Sequence, residues 1–140
     1  MQISKNFTLQ EMSCKCGCEM PPEVLSNVKK LAEELQIVRD YVHEPININS
    51  AYRCIEHNEV VQKEANKKYI PYSSKSQHLL GKAADITIKH FTPDEVYDII
   101  QNLRRNPMVK GVKFQGIGRY NTFTHVDLRK YYGTWDYRSV

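Results

Sequence analysis

Downstream of Pro21-Pro22, and as far as Pro45, the chain carries one uninterrupted apolar stripe, the strongest restriction the sequence places on its fold. Val24, Val28, Leu31, Leu35, Val38 and Val42 recur at intervals of 4, 3, 4, 3 and 4 residues. That repeat puts side chains on one face of an α-helix. Lys29, Lys30, Glu33 and Glu34 fall off the stripe and face water. Pro45 holds the residue before it in extended backbone and so ends the helix.

The remaining segments alternate between the two periodicities. Residues 45–50 alternate apolar and polar, as a half-buried strand does. Residues 55–69 predict a second, more polar helix with Val60, Val61 and Ala65 inward, and residues 73–76 have loop chemistry. Residues 83–88 predict a strand. Thr92-Pro93-Asp94-Glu95 is a capping box with proline in the first helical position. The helix it opens carries Val96, Ile99, Ile100 and Leu103 on one face. Three short β segments, 111–114, 117–120 and 123–128, close the chain. Together they predict an α+β fold, a small, mostly antiparallel sheet with helices packed on it. At 140 residues, with no repeat, low-complexity tract or Gly/Ser linker, residues 1–140 are expected to form one domain.

Composition narrows the function classes. Hydrophobic residues make up 41% and charged residues 26%, ordinary globular usage. Lys and Arg number 20 against 16 Asp and Glu, a formal +4 with no run of five like charges, so no nucleic-acid partner is expected. A mild basic excess instead eases approach to an anionic polymer. No apolar stretch approaches the roughly 18 residues of a membrane span, so no membrane partner is expected either.

Three residues then stand out: His78, Asp85 and His125. Asp85 sits between Ala83-Ala84 and Ile86, inside an apolar strand, where an isolated carboxylate is costly unless paired or bound to a metal. His125 is flanked by Phe123 and Val126 on a strand that can neighbour the first. Two imidazoles and a carboxylate make the three-ligand set typical of catalytic zinc, which activates water and polarises a carbonyl. Taken singly, each has an ordinary alternative, His78 as a surface loop residue and Asp85 as a satisfied strand carboxylate.

Taken in order, the segments resemble a known family. Ser76-x-His78-x-x-Gly81-x-Ala83-x-Asp85 followed by His125-x-Asp127 is similar to the zinc signature of the D-Ala-D-Ala carboxypeptidase family of metallopeptidases, peptidase family M15. That family includes bacterial cell-wall peptidases and phage endolysins, and the hedgehog signalling domain shares its fold. The resemblance takes in Ser50-Ala51-Tyr52-Arg53 with Asn58, Gly116-Ile117-Gly118-Arg119-Tyr120, and Arg129 with Trp135, covering roughly residues 45–135. The opening Phe7-Thr8-Leu9-x-Glu11 is similar to the family's small-protein branch.

The resemblance implies that His78, Asp85 and His125 hold zinc and that Arg53 engages substrate, where a planar guanidinium suits a carboxylate or peptide carbonyl. Gln77, beside the first ligand, is a further substrate-binding candidate. Several branches place an acid three residues before the last histidine; here Thr122 stands there and cannot act as a base. Asp127, two residues after His125 and on its side of the strand, is the nearest acid. It either accepts a proton from water at the site or orients a ligand histidine. The implied activity is hydrolysis of an amide in peptidoglycan stem peptides, by a zinc-dependent D,D-carboxypeptidase or endopeptidase acting as a monomer. The alternative is a non-catalytic zinc-containing binding module. The N-terminus does not read as a signal peptide, so the expected location is the producing cell's cytoplasm, or the wall after lysis or another route of export.

Cys14, Cys16, Cys18 and Cys54 allow three states: a second, structural zinc site, disulfides, or free thiols. The single-residue spacing ranks disulfides and thiols ahead of metal. His43 is expected at a helix end, His90 exposed, and His57 near Arg53 at the edge of the cleft. Tyr131, Tyr132, Trp135 and Tyr137 are expected to pack over the sheet as core, with a sugar-stacking surface as the alternative.

Overall fold

The computed structural model describes residues 1–66 and 76–139, residues 62–66 by their backbone alone. The apolar stripe forms α2, Pro22–Val42, after a one-turn helix α1, Leu9–Met12. Val24, Val28, Leu31, Leu35 and Val38 are buried along α2. Burying a side chain of this size stabilises by roughly 1.5–3 kcal/mol, so this face fixes α2 against the core. His43 ends the helix in the left-handed region, φ 57°, its backbone N–H donating to the Arg39 carbonyl. In α1, Thr8 and Glu11 form a reciprocal capping box, and Phe7 and Met12 on either side are buried in the core.

Strands β1 (Ile46–Ser50) and β2 (Ala83–Ile88) are joined through α3 (Ile55–Asn66) and a 3₁₀ turn (Gln77–Leu80). The capping box at Thr92 opens α4 (Pro93–Arg105), and β3 (Gly116–Arg119), β4 (Thr124–Asp127) and β5 (Gly133–Asp136) follow. Among the described residues these strands form one sheet in the order β1-β2-β4-β3-β5. Every neighbouring pair is antiparallel except β3 and β5. The α+β architecture with a mostly antiparallel sheet is therefore as the sequence predicts. Helix α4 packs on β2, β3 and β4. Ile86, Ala84, Val126 and Ile117 fill the core from one face of the sheet. Among the described residues no helix is long and apolar enough to cross a membrane.

Four expectations change. Residues 111–114 are not a strand; Val112 and Phe114 are buried in coil, so their alternation records burial rather than pairing. The last strand is instead β5, at an edge parallel to β3. Val60 in α3 is 59% exposed rather than inward, and Val61 is half-buried. The Ala65 side chain, residues 67–69 of the predicted helix and 73–75 of the predicted loop lie outside the described residues. Tyr131, Tyr132 and Tyr137 are exposed, because the edge strand leaves them no layer to pack under. Tyr132 is held by its polar end, accepting a hydrogen bond from Gln101 Nε2 while Arg104 lies over its ring.

Candidate active site

Strand register assembles the site. Ser50, Asp85, His125, Gly118 and Trp135 are cross-strand partners in sequence, forming one row across the five strands. A row shares a face, so Asp85, His125 and Trp135 project to the same side, opposite the Ile86–Val126 core. Gly118 supplies no side chain to the row, and a Cβ there would collide with the Trp135 indole. The gap lets Trp135 reach across β3 to lie 5.1 Å from the His125 ring.

His78 enters from the 3₁₀ turn. Ser76 caps that turn, its hydroxyl accepting from the His78 N–H, and Gly81 closes it in the left-handed conformation, φ 71°. The Arg53 N–H donates to the His78 carbonyl, tying the loop after β1 to the turn. The two histidines and Asp85 bring their donor atoms within 4.8 Å of one another.

Outer hydrogen bonds set the tautomers. His78 Nδ1 lies 2.6 Å from the Ala51 carbonyl, which only accepts, so this nitrogen carries the proton and Nε2 presents its lone pair. That Nε2 faces Asp85 Oδ1 at 3.3 Å. His125 Nε2 donates to Asp127 Oδ2 at 2.6 Å, and its Nδ1 lies 2.9 Å from Asp85 Oδ1, where a bound ion would take the place of the ring proton. Two imidazole nitrogens and a carboxylate oxygen thus converge, a donor set that fits a divalent ion such as zinc. Burial alone would raise the Asp85 pKa, but the His78 and His125 rings hold it well below the usual carboxylate range. Burial also pulls His78 below its ordinary value, with Asp85 opposing. These two keep the forms a metal needs, a carboxylate anion and a neutral imidazole; burial alone would lower the His125 pKa, but its hydrogen bonds with Asp127 and Asp85 raise it, so an ion would displace its Nδ1 proton.

Asp127 lies on the far side of the His125 ring from Asp85, with its side chain fully buried. Arg129 grips it with two donors, Nε to Oδ1 at 2.8 Å and Nη2 to Oδ2 at 2.6 Å. Against the cost of burial, these bonds and His125 keep Asp127 ionised far below its ordinary range. Gly116 makes room for the pair, since a Cβ there would run into Asp127 Oδ1 and Arg129 Nε. A Gly116→Ala chain is therefore expected to lose about 1–3 kcal/mol of stability and to hold metal less tightly. Thermal denaturation and zinc titration check both effects.

The other expected residues are placed as follows. Arg53 is 4% exposed, and its Nε finds no hydrogen-bond partner among the described residues. Burial lowers its pKa while Asp85 pulls it back up. The Gln77 Oε1 atom is likewise buried without a partner. Thr122 is exposed in the turn between β3 and β4. The His57 backbone N–H donates to Cys54 Sγ. His90 is exposed, 3.3 Å from Glu44. Trp135, expected to pack over the sheet with the tail, instead flanks His125 and donates to the Tyr120 hydroxyl at 3.0 Å. Burial pushes the Tyr120 hydroxyl up to about 12, with the Trp135 hydrogen bond opposing. The two glycines of Gly116-Ile117-Gly118 were the available signal, since they clear the row for such a neighbour.

No curated protein matches the chain. A family model described as Peptidase M15 matches residues 5–127, which include Arg53, Gln77, His78, Asp85, His125 and Asp127. With most of its length matched and the candidate metal ligands His78, Asp85 and His125 all inside the match, the chain belongs to the M15 family of metallopeptidases.

Proposed function

We propose that the chain is a zinc-dependent cell-wall peptidase that hydrolyses an amide in peptidoglycan stem peptides, as a D,D-carboxypeptidase or related endopeptidase. The observation that carries this reading is the convergence of His78 Nε2, Asp85 Oδ1 and His125 Nδ1, each oriented by a partner outside the trio or held ionised. Zinc held there supplies water activation and carbonyl polarisation. The chain's own residues do the rest. Arg53 Nε and Gln77 Oε1 are a buried donor and a buried acceptor without partners among the described residues, complementary to the carboxylate and amide N–H groups of a D-alanine-terminated peptide. Trp135 and Tyr120 wall one side and limit the access of water. Asp127 acts as a positioning residue through His125 rather than as the proton acceptor, because both its oxygens are engaged by Arg129 and His125. The net +4 charge favours approach to an anionic wall polymer.

An Arg53→Lys chain is expected to keep its zinc and lose about 10–100-fold in kcat/KM, the scale of a charge-assisted hydrogen bond. The loss should shrink on a substrate whose terminal carboxylate is amidated, and kinetics on the paired peptides check it. For the function itself, zinc-loaded protein incubated with purified peptidoglycan should release new amino groups. Metal-loaded protein that releases none would favour a second reading, a zinc-containing binding module without turnover. The exposed threonine at position 122, where an acid is expected, supports that second reading.

A further inference from the structure

The four cysteines lie in a separate cluster from the histidine–aspartate trio, and their sulfurs fall within 4.8 Å of one another. None of the four is joined in a disulfide. Cys14 Sγ is 3.2 Å from Cys16 Sγ and 3.7 Å from Cys54 Sγ, and Cys16 Sγ is 3.5 Å from Cys54 Sγ. A tetrahedron of zinc–sulfur bonds of about 2.3 Å has edges of about 3.8 Å, so these separations are close to those of a thiolate-bound ion. Each of these three sulfurs also sees two others at similar range, so the geometry singles out no pair for a disulfide.

The backbone explains how alternate cysteines converge. In an extended strand Cys14, Cys16 and Cys18 would stand in a row. Here the chain turns between them: the Gly17 N–H donates to the Cys14 carbonyl at 3.1 Å, and Gly17 adopts φ 83°, a conformation open to glycine. The cluster also has its own donors. The Cys54 N–H points at Cys14 Sγ and the His57 N–H at Cys54 Sγ, both at 3.4 Å. Backbone N–H groups aimed at sulfur stabilise negative charge there, as the outer partners of metal thiolates do.

We propose that Cys14, Cys16, Cys18 and Cys54 form a second, structural zinc site. On binding, each thiol releases its proton to solvent and each sulfur donates a lone pair to the ion, with no change of oxidation state. This reverses the order that spacing alone suggests, because the Gly17 turn supplies what the one-residue spacing lacks. The site would fasten the N-terminal segment to the loop after β1. That loop already meets the segment where the Tyr52 N–H donates to the Met12 carbonyl, and its Ala51 carbonyl orients His78. A staple at Cys54 therefore braces Arg53 and the His78 tautomer.

Metal content of the full chain, purified with zinc and reductant, tests this without reference to activity. Wild type should hold about two zinc ions per chain, one for each donor set. Cys16→Ser should drop to about one and Cys16→His, which restores a nitrogen ligand, should recover the second. Asp85→Asn should also drop to about one while keeping the cysteine-bound ion. Should Cys16→Ser fail to fold, cobalt-loaded wild type decides: a thiolate-to-cobalt charge-transfer band with intense tetrahedral visible bands is expected, abolished by a mercurial that titrates thiols. Wild type with about one zinc and no thiolate band overturns the site. So does protein whose cysteines react freely with iodoacetamide under zinc, or whose sulfurs become available only after reduction.

Discussion

An Asp85→Asn chain is expected to fold, to lose the ion held with His78 and His125, and to fall in turnover by about a thousandfold or more. A bound metal contributes several kcal/mol to such a reaction, and each 1.36 kcal/mol is a factor of ten. The physical reason is charge. Asp85 supplies the only anion in that donor set, and it is paired across β2 and β4 with His125 and faces both ring nitrogens. An asparagine keeps the volume and the strand register but presents either a neutral oxygen or an N–H to those nitrogens. Circular dichroism should be unchanged while zinc content and amide cleavage fall together. Full turnover in Asp85→Asn would separate the trio from the chemistry.

The second large effect is expected at Asp127. Asp127→Ala leaves the His125 Nε2–H and three Arg129 donors, its backbone N–H, Nε and Nη2, without their acceptor in a fully buried position. Metal affinity is expected to fall about 10–100-fold, the range for losing an outer partner of a ligand histidine. The fold should lose on the order of 2 kcal/mol, less than a wholly buried pair because the Arg129 side chain is 34% exposed and can turn to solvent. Asp127→Asn is the discriminating variant. Its oxygen still accepts from His125, so a positioning role predicts partial recovery of metal affinity and turnover. A proton-accepting role predicts the reverse: metal affinity near wild type with turnover abolished, since an amide cannot take the proton. Zinc affinity and kcat measured on both variants separate the two.

How much of this was legible depends on what each residue's signal was local to. The α2 stripe needs only its own 3.6-residue period, and the structure buries five of its six apolar positions. Asp85 betrays itself because a carboxylate among Ala83, Ala84 and Ile86 is out of place unless something holds it. The capping box at Thr92 names its helix from four residues. Features that depend on partners distant in sequence were harder to read. Strand β5 reads Gly-Thr-Trp-Asp, which lacks an apolar face, and its strand character comes from pairing parallel to β3. Residues 111–114 alternate convincingly because coil can bury Val112 and Phe114 just as a strand can. The role of Trp135 required knowing that Gly118 stands between it and His125, a fact of register. The approach of Cys14, Cys16 and Cys54 was equally hard to read, because it depends on the turn at Gly17 and on the fold that brings the loop after β1 alongside.

The most direct test is mass spectrometry of muropeptides after digestion with three preparations of the same protein: zinc-loaded, chelator-stripped, and stripped then reloaded with zinc. Shortened stem peptides are expected from the first and third and intact stems from the second. Stems cleaved equally by the stripped protein, or left intact by all three, would contradict zinc-dependent cleavage.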